Sequence, residues 1–328
     1  MPGKNTTHKS LDRILTLEIA RVTERAAVAA ARLRGRGDEM AADQVAVDAM
    51  RRELNCLPID GTVVIGEGER DEAPMLYIGE EVGTKEGMAV DIALDPLEGT
   101  TICAKNLPNS LAVIALAEKG SLLYAPDVYM EKIAIGPGYP SNTISLDATA
   151  SENIHAVAKA KGVPVSDITA CILDRPRHAK LIDEVRATGA SIRLIGDGDV
   201  AGIIHTTNPD ETGIDIYLGI GGAPEGVLAA AALRCIGGQM EGRLELNSAE
   251  KIARAAKMGI SDPKRIYKME EMAKGDVLFS ATGVTDGNLL QGVKFSKSAI
   301  WTHTIVMRSS SRTVREIKAQ HQDLTKFD

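Results

Sequence analysis

The apolar run from Ala89 to Leu94 ends abruptly in Asp95-Pro96-Leu97-Glu98-Gly99-Thr100-Thr101, so two carboxylates and a hydroxyl follow directly on a strand. Proline cannot donate to a strand ladder, which predicts that the chain turns at Pro96. Gly99 lets the backbone approach a bound anion with no side chain in the way. Asp95 and Glu98 are then expected to face one point. Two hard oxygen ligands beside a hydroxyl are what a Mg²⁺- or Mn²⁺-dependent phosphoryl-transfer site requires. Asp-Pro and Gly-Thr are also ordinary turn punctuation, so the segment alone leaves both readings open.

A chain of 328 residues exceeds the usual size of a single core, which predicts one large α/β unit or two closely packed domains. With 44% apolar and 25% charged residues it has the composition of a soluble globular protein. A net charge of −7 and 3% aromatic residues leave no extended basic surface and few stacking platforms, which excludes nucleic acid as a partner. Cys56, Cys103, Cys171 and Cys235 are scattered, without a C-x-x-C pair, and read as reduced, buried thiols. Lys4 and Lys9 precede no apolar targeting segment, and no apolar run is long enough to cross a bilayer. The expectation is a cytoplasmic protein with no membrane partner.

Ser10 is placed to cap a helix from Leu11 to about Arg34, closed by Gly35 and Gly37. A second helix is expected from about Glu39 to Cys56, ended by Pro58 and Asp60-Gly61. Short strands then alternate with glycine turns: Thr62 to Ile65, Met75 to Ile78, Val90 to Leu94, Leu111 to Ala117 and Lys132 to Ile135. This part reads as a meandering sheet covered by two helices. Beyond the turn-rich residues 136–142, the runs Ala170 to Leu173, Ile192 to Ile195 and Ile214 to Ile220 each precede a helical pattern, which predicts parallel strands in βαβ units. The expected division is an N-terminal α+β metal-binding domain, residues 1–145, and a C-terminal α/β substrate-binding domain, residues 146–328.

On the second helix Asp43 and Asp48 point to different faces, so only one can address a common site, and Asp43 is the candidate. The run Val63-Val64-Ile65-Gly66-Glu67 delivers Glu67 at the carboxyl end of a strand, while Glu69, Asp71 and Glu72 read as a solvated loop. Convergence of Asp43, Glu67, Asp95 and Glu98 would put four carboxylates in one cleft, a repulsive arrangement that two divalent ions resolve. In Asp174-Arg175-Pro176-Arg177-His178 the two guanidinium groups suit phosphate oxygens; a surface arginine pair is the equal alternative, and His178 reads as a helix-start residue. Ile195-Gly196-Asp197-Gly198-Asp199 offers short acids to sugar hydroxyls, with helix capping by Asp199 the competing role. The glycines from Gly219 to Gly226 open a helix start that favours anions, but their spacing is not G-x-G-x-x-G, so a dinucleotide fingerprint is a weak reading. Glu225 is either a fifth ligand or a helix-dipole acid. Tyr129 either meets a phosphate or packs at a sheet edge.

In the order and number of these motifs, from Leu17 onward, the chain resembles the bacterial class II fructose-1,6-bisphosphatases, within the lithium-sensitive sugar-phosphatase superfamily and its Asp-Pro-Ile/Leu-Asp/Glu-Gly-Thr signature. The resemblance extends through Arg21-Val22-Thr23-Glu24, Gly35-Arg36-Gly37-Asp38, Ile65 to Glu69, Asp71 to Gly79 and Phe279-Ser280-Ala281-Thr282-Gly283. It implies a layered αβαβα sandwich and hydrolysis of the 1-phosphate of fructose 1,6-bisphosphate in gluconeogenesis, by a homo-oligomer, dimer or tetramer. A dual fructose/sedoheptulose bisphosphatase or another sugar or inositol phosphatase is the alternative. By matching position it implies Asp43 and Glu67 on one Mn²⁺ or Mg²⁺, Asp95, Glu98 and Glu225 on a second, and Thr100 positioning or activating the attacking water. Substrate contacts are implied at Glu98, Gly99, Thr100, Tyr129, Arg175, Arg177, Asp197, Gly198, Asp199 and Gly222. The chain departs from many relatives in having Glu39-Met40 where they carry a lysine, and Arg175 where some have lysine.

Overall fold

The segment Ala223–Ile236 has almost no polar face, and a helix apolar all round has to be buried. In the computed structural model, which describes residues 11, 13–68 and 75–327, it lies between two sheets. The elements are α1 (Leu15–Ala31), α2 (Glu39–Leu54), β1 (Ile59–Ile65), β2 (Glu81–Val82), β3 (Met88–Glu98), α3 (Thr100–Ala104), β4 (Leu111–Glu118), β5 (Tyr129–Ile135), α4 (Ala150–Lys161), β6 (Thr169–Leu173), α5 (Ala179–Ala187) and β7 (Ser191–Ile195). They continue with α6 (Asp199–His205), α7 (Pro209–Thr212), β8 (Ile216–Gly222), α8 (Ala223–Ile236), β9 (Gln239–Leu244), α9 (Ala249–Lys257), β10 (Ile266–Lys268), α10 (Met269–Met272), β11 (Val277–Gly283), β12 (Lys294–Phe295), β13 (Ile300–Arg308) and β14 (Thr313–His321). Among the described residues one sheet runs β12-β13-β11-β4-β3-β1-β2, with β14 on β13, and the other runs β10-β9-β5-β8-β6-β7.

Three apolar layers join these parts. Ile19, Val22, Met50 and Leu54 of α1 and α2 pack with Ile92, Ile114 and Leu278 on one face of the first sheet. Val227, Leu228 and Leu233 of α8 fill the space between the sheets, against Val113, Ala281, Met130 and Tyr217. Ile154, Val157 and Val185 of α4 and α5 cover the far face of the second sheet over Ile133, Ile172 and Leu218. The molecule is therefore the αβαβα sandwich expected, and each fully buried Val, Leu or Ile contributes about 1.5–3 kcal/mol to holding it.

The helices start and stop close to the expected places. Asp38 caps α2 by accepting from Ala41 N–H at 2.9 Å, whereas Ser10 lies outside the described residues, as do Glu69, Asp71 and Glu72. Two expectations fail. Residues 75–78 form turns and not a strand, held by Gly79 N–H on Val63 O (2.7 Å), and the edge strand is β2 instead. Pro96 does not end its strand either. Pairing passes from Asp95 opposite Val113 to Glu98 opposite Leu111, so a β-bulge absorbs the proline and kinks the strand.

The parallel strands after residue 145 are present, with β6 parallel to both β7 and β8. The sequence reading had no counterpart for β9 to β14. The division at residue 145 also cuts across the sheets: β5 lies before it but belongs to the second sheet, and β11 to β14 lie after it but complete the first.

Candidate active site

Strand direction places the site. β1 and β3 are parallel, so Glu67, just past β1, and Asp95 and Glu98, at the end of β3, emerge at the same edge of the first sheet. In the second sheet Asp197 follows β7, and Glu225 follows β8 in the first turn of α8. Ligands in such α/β folds sit outside the carboxyl ends of strands. Here the two edges face one another across a cleft of about 360 Å³, lined by Asp43, Glu67, Asp95, Glu98, Asp127, Asp197, Asp199 and Glu225, together with Gly99, Thr100 and Gly198. Asp43 reaches it from α2, while Asp48 stays outside and accepts from Gln44 Nε2 at 2.9 Å.

Burial and mutual repulsion dominate the electrostatics. Burial, then Asp43 and Glu225, pushes the Glu67 carboxyl up to about 8, and burial with Asp199 pushes Glu225 up to about 7. Asp95 and Glu98 are driven well above the usual carboxylate range, first by burial and then by Glu67 and Asp199 respectively. Asp43 is raised by burial and partly held back by its hydrogen bond with Glu67. Such a cleft either keeps protons or takes up cations.

The donor set fits divalent cations. Glu98 Oε1 accepts from Val200 N–H at 2.8 Å, but Glu98 Oε2 and Glu225 Oε2 are buried with no hydrogen-bond partner among the described residues, and a buried carboxylate oxygen with no donor beside it suits a hard cation. Among the described residues no three acids, imidazoles or thiols stand in finished cation-binding geometry. The carboxylates share a cleft without closing on a point.

The glycines make room for these acids. A methyl group on Gly222 would fall 1.8 Å from Glu225 Oε2, and one on Gly221 would fall 2.0 Å from Asp199 Oδ2. Gly99 and Gly198 adopt positive φ, +77° and +81°, at the starts of α3 and α6, which side chains resist. Thr100 is the first residue of α3 and lines the cleft.

The basic residues stand on the second-sheet side. Arg177 donates to Ile220 O through Nε (3.0 Å) and Nη2 (2.7 Å), and its guanidinium lies 4.7 Å over the Tyr129 ring. Tyr129 pairs with Gly222 in the β5–β8 register. Arg175 approaches Asp197 at 3.9 Å. His178 is buried, not merely a helix start: it accepts Ile220 N–H at Nε2 (2.8 Å) and so donates from Nδ1 to Leu173 O (2.7 Å), pinning β6 to β8. Burial lowers its pKa and keeps it neutral.

Two residues escaped the sequence reading. Asp127 lines the cleft. Lys132 is fully buried, and its ammonium donates to Asp199 Oδ2 and to Gly222 O (2.9 Å), so one oxygen of Asp199 is engaged within the protein and not free for a sugar hydroxyl. The signal was a lone lysine in the apolar strand Tyr129–Ile135, since a buried ammonium must have an acid beside it. At the substituted position Met40 is exposed, and Glu39 adds to the negative field that helps raise Asp197.

Comparison with known proteins agrees in one direction. The family profile described as "Bacterial fructose-1,6-bisphosphatase, glpX-encoded" matches residues 13–321. The D-fructose 1,6-bisphosphatase class 2/sedoheptulose 1,7-bisphosphatase of Synechococcus sp. (strain JA-3-3Ab) is 46% identical over 336 residues, 95% of this chain and 96% of the relative. Fructose-1,6-bisphosphatase 1 class 2 of Escherichia coli (strain K12) is 48% identical over 323 residues, covering 94% and 95%. Among solved structures, the extragenic suppressor protein suhB from Bartonella henselae superposes with a TM-score of 0.34 at 16% identity, over 60% of this chain and 74% of that one. Inositol monophosphatase from Anabaena (Nostoc) sp. PCC 7120 gives 0.31 at 13% identity, over 60% and 71%. Superpositions this loose carry no argument about the site.

Proposed function

The chain belongs to the bacterial, glpX-encoded fructose-1,6-bisphosphatase family, and we propose that the acidic cleft between its two sheets is where it cleaves the 1-phosphate from fructose 1,6-bisphosphate. It is a phosphoric monoester hydrolase acting on a sugar bisphosphate. The observation that carries the location is the pair of orphaned oxygens, Glu98 Oε2 and Glu225 Oε2, in a cleft lined by eight carboxylates.

Asp43 with Glu67, and Asp95 with Glu98 and Glu225, would hold Mn²⁺ or Mg²⁺. When bound, such cations supply Lewis-acid stabilisation of charge on the phosphoryl group and the leaving oxygen. The chain does the rest. Thr100, at the cleft wall, orients the attacking water. Gly99 and Gly198 keep side chains away from the phosphate, and Asp197 and the free oxygen of Asp199 accept from sugar hydroxyls. Arg175, Arg177 and Tyr129 offer positive charge and donors to the remote phosphate. Arg177 is held in place by the Ile220 carbonyl and the Tyr129 ring, so little side-chain freedom is left to lose on binding.

A seven-carbon bisphosphate is the second reading, because the Synechococcus relative is named for both substrates. Assembly as a homo-oligomer in the cytoplasm belongs to the same proposal; among the described residues no helix is long and apolar enough to cross a membrane. Phosphate release is measured from fructose 1,6-bisphosphate and from sedoheptulose 1,7-bisphosphate, with Mg²⁺ and Mn²⁺ compared. Metal-dependent release from the first is expected. Turnover undiminished by a chelator removes the metal assignment, and release from neither sugar removes the function.

A further inference from the structure

Lysine is almost never fully buried unless it is paired, yet Lys132 lies in the middle of β5 with no exposed surface. Its stem runs past the first turn of α8, where a methyl group on Gly226 would fall 3.2 Å from Cδ, and its ammonium ends beside Gly221, where a methyl group would fall 2.9 Å from Nζ. Bare backbone at both places gives the side chain its passage. The ammonium then reaches two parts of the cleft wall, donating to Asp199 Oδ2 at the start of α6 and to Gly222 O at the end of β8 (2.9 Å). Tyr217 O–H, also buried, donates to the same Oδ2 (3.4 Å). Among the described residues both hydrogen bonds to the Asp199 carboxylate thus end on Oδ2, while Asp199 lines the cleft.

We propose that Lys132 is a positioning residue for the substrate: by holding Oδ2 inward it turns Oδ1 of Asp199 toward the cleft as a fixed acceptor for a sugar hydroxyl. The last torsion of a carboxylate side chain is soft and roughly two-fold, so an unanchored Asp199 would present either oxygen over a wide range of angles. Anchoring one oxygen removes that freedom before the sugar arrives and lowers the cost of binding it. The second bond, to Gly222 O, ties the acceptor to the glycine turn that houses Glu225, so the sugar-binding and metal-binding parts of the cleft keep one spacing. Lys132 is 0% exposed and does not touch the substrate itself; it acts through Asp199. The inference rests on the sugar-bisphosphatase reading.

The test is steady-state hydrolysis of fructose 1,6-bisphosphate with Mn²⁺ by the wild type, Lys132→Met, Asp199→Asn and the double variant, with inorganic phosphate as competitive inhibitor. Circular dichroism checks each fold. Lys132→Met keeps the length and removes the charge, and should raise KM by about tenfold or more, the worth of one hydrogen bond to a charged group. The turnover number should stay within about threefold, because a hydroxyl contact serves ground and transition states alike. The inhibition constant of phosphate should not change, since phosphate carries no sugar hydroxyl. The double variant should match Asp199→Asn, because the lysine acts through that carboxylate; it also leaves no unpaired buried charge, so it decides the matter should Lys132→Met alone fail to fold. An unchanged KM in Lys132→Met, a phosphate constant that rises as much as KM, a double variant worse than Asp199→Asn, or one that does not fold would each overturn the proposal and leave the phosphatase reading in place. No turnover by the wild type would remove that reading, and the inference with it.

Discussion

Asp95 carries the sharpest residue-level test. Its carboxylate lies in the cleft, its Oδ1 accepts Leu97 N–H at 3.1 Å across the bulge, and Glu67, Glu98, Glu225 and Asp43 all repel it. Asp95→Asn keeps the shape and removes the charge, so kcat should fall by several powers of ten, because metal-assisted stabilisation is worth several kcal/mol and about 1.4 kcal/mol is tenfold. Near-normal turnover in that variant would refute the assignment. A second residue-level prediction lies far from the cleft. Lys326 donates to His321 Nδ1 (2.8 Å), so His321 Nε2 must donate to Thr302 Oγ1 (2.9 Å), which in turn donates to Glu24 Oε1 (2.9 Å). This chain of bonds needs a neutral imidazole, and burial, with Lys326 and Arg25, lowers the His321 pKa to about 4. The unfolded chain takes up that proton near 6.5, so stability should be complete above that pH and be lost as pH falls from about 6.5 to about 4. Glu24, raised by burial, holds its proton in the fold and opposes the trend only below its own raised value. Urea midpoints at pH 7 and pH 5 should differ less in His321→Gln than in the wild type, and an equal difference would remove His321 as the cause. Carboxylates at strand ends were legible because a charge after an apolar run is conspicuous; the tautomer chain was not, since it ends on Glu24, 278 positions before Thr302 in the sequence.

At the level of elements, the turn from β8 into α8 shows why glycine and acid must come together. Gly222 is at extended φ, −63°, so no backbone strain demands a glycine; the demand is space for the Glu225 carboxylate. Gly222→Ala should push that carboxylate aside and cut Mn²⁺ affinity by about tenfold or more, the loss common for residues that orient a ligand. The metal-free melting temperature should barely change. Calorimetric titration with Mn²⁺ decides it, and unaltered affinity would mean that Glu225 is not held by this contact. The glycine loop was visible in the sequence as an anion-favouring helix start, but its role as a mould for Glu225 required the side-chain geometry. The bulge at Pro96 follows the same lesson. Proline forbids one ladder bond, and whether a strand answers by turning or by bulging depends on the strand alongside, here β4, whose Val113 and Leu111 hold both sides of the irregularity.

Across the whole molecule, the two sheets are joined by chain order as well as by packing. β11 pairs with β4 from more than a hundred and fifty residues away, and β5 crosses early into the second sheet; local pattern cannot report pairing at such separations, which is why a linear division at residue 145 failed to follow the sheets while the parallel βαβ strands, local by construction, were foreseen. The interleaving places the cleft at a seam to which both sheets contribute acids, and their repulsion then opposes the closed sandwich. Glu67 and Glu225 keep their protons up to about 8 and about 7 in the fold, whereas in the unfolded chain they ionise near 4.3. Between those values the unfolded state binds fewer protons, so the metal-free protein loses stability as pH rises. Cations that take the place of the protons reverse this. A fixed Mn²⁺ concentration, about a hundred times the dissociation constant at pH 8, should add roughly 2.7 kcal/mol there, and because ligands must be deprotonated the same concentration should add less at pH 6. Scanning calorimetry with Mn²⁺ and with chelator at both pH values measures it. Equal gains at the two pH values would mean that the ions bind away from the seam, and no gain at either would leave the repulsion between the sheets without the partner assigned to it.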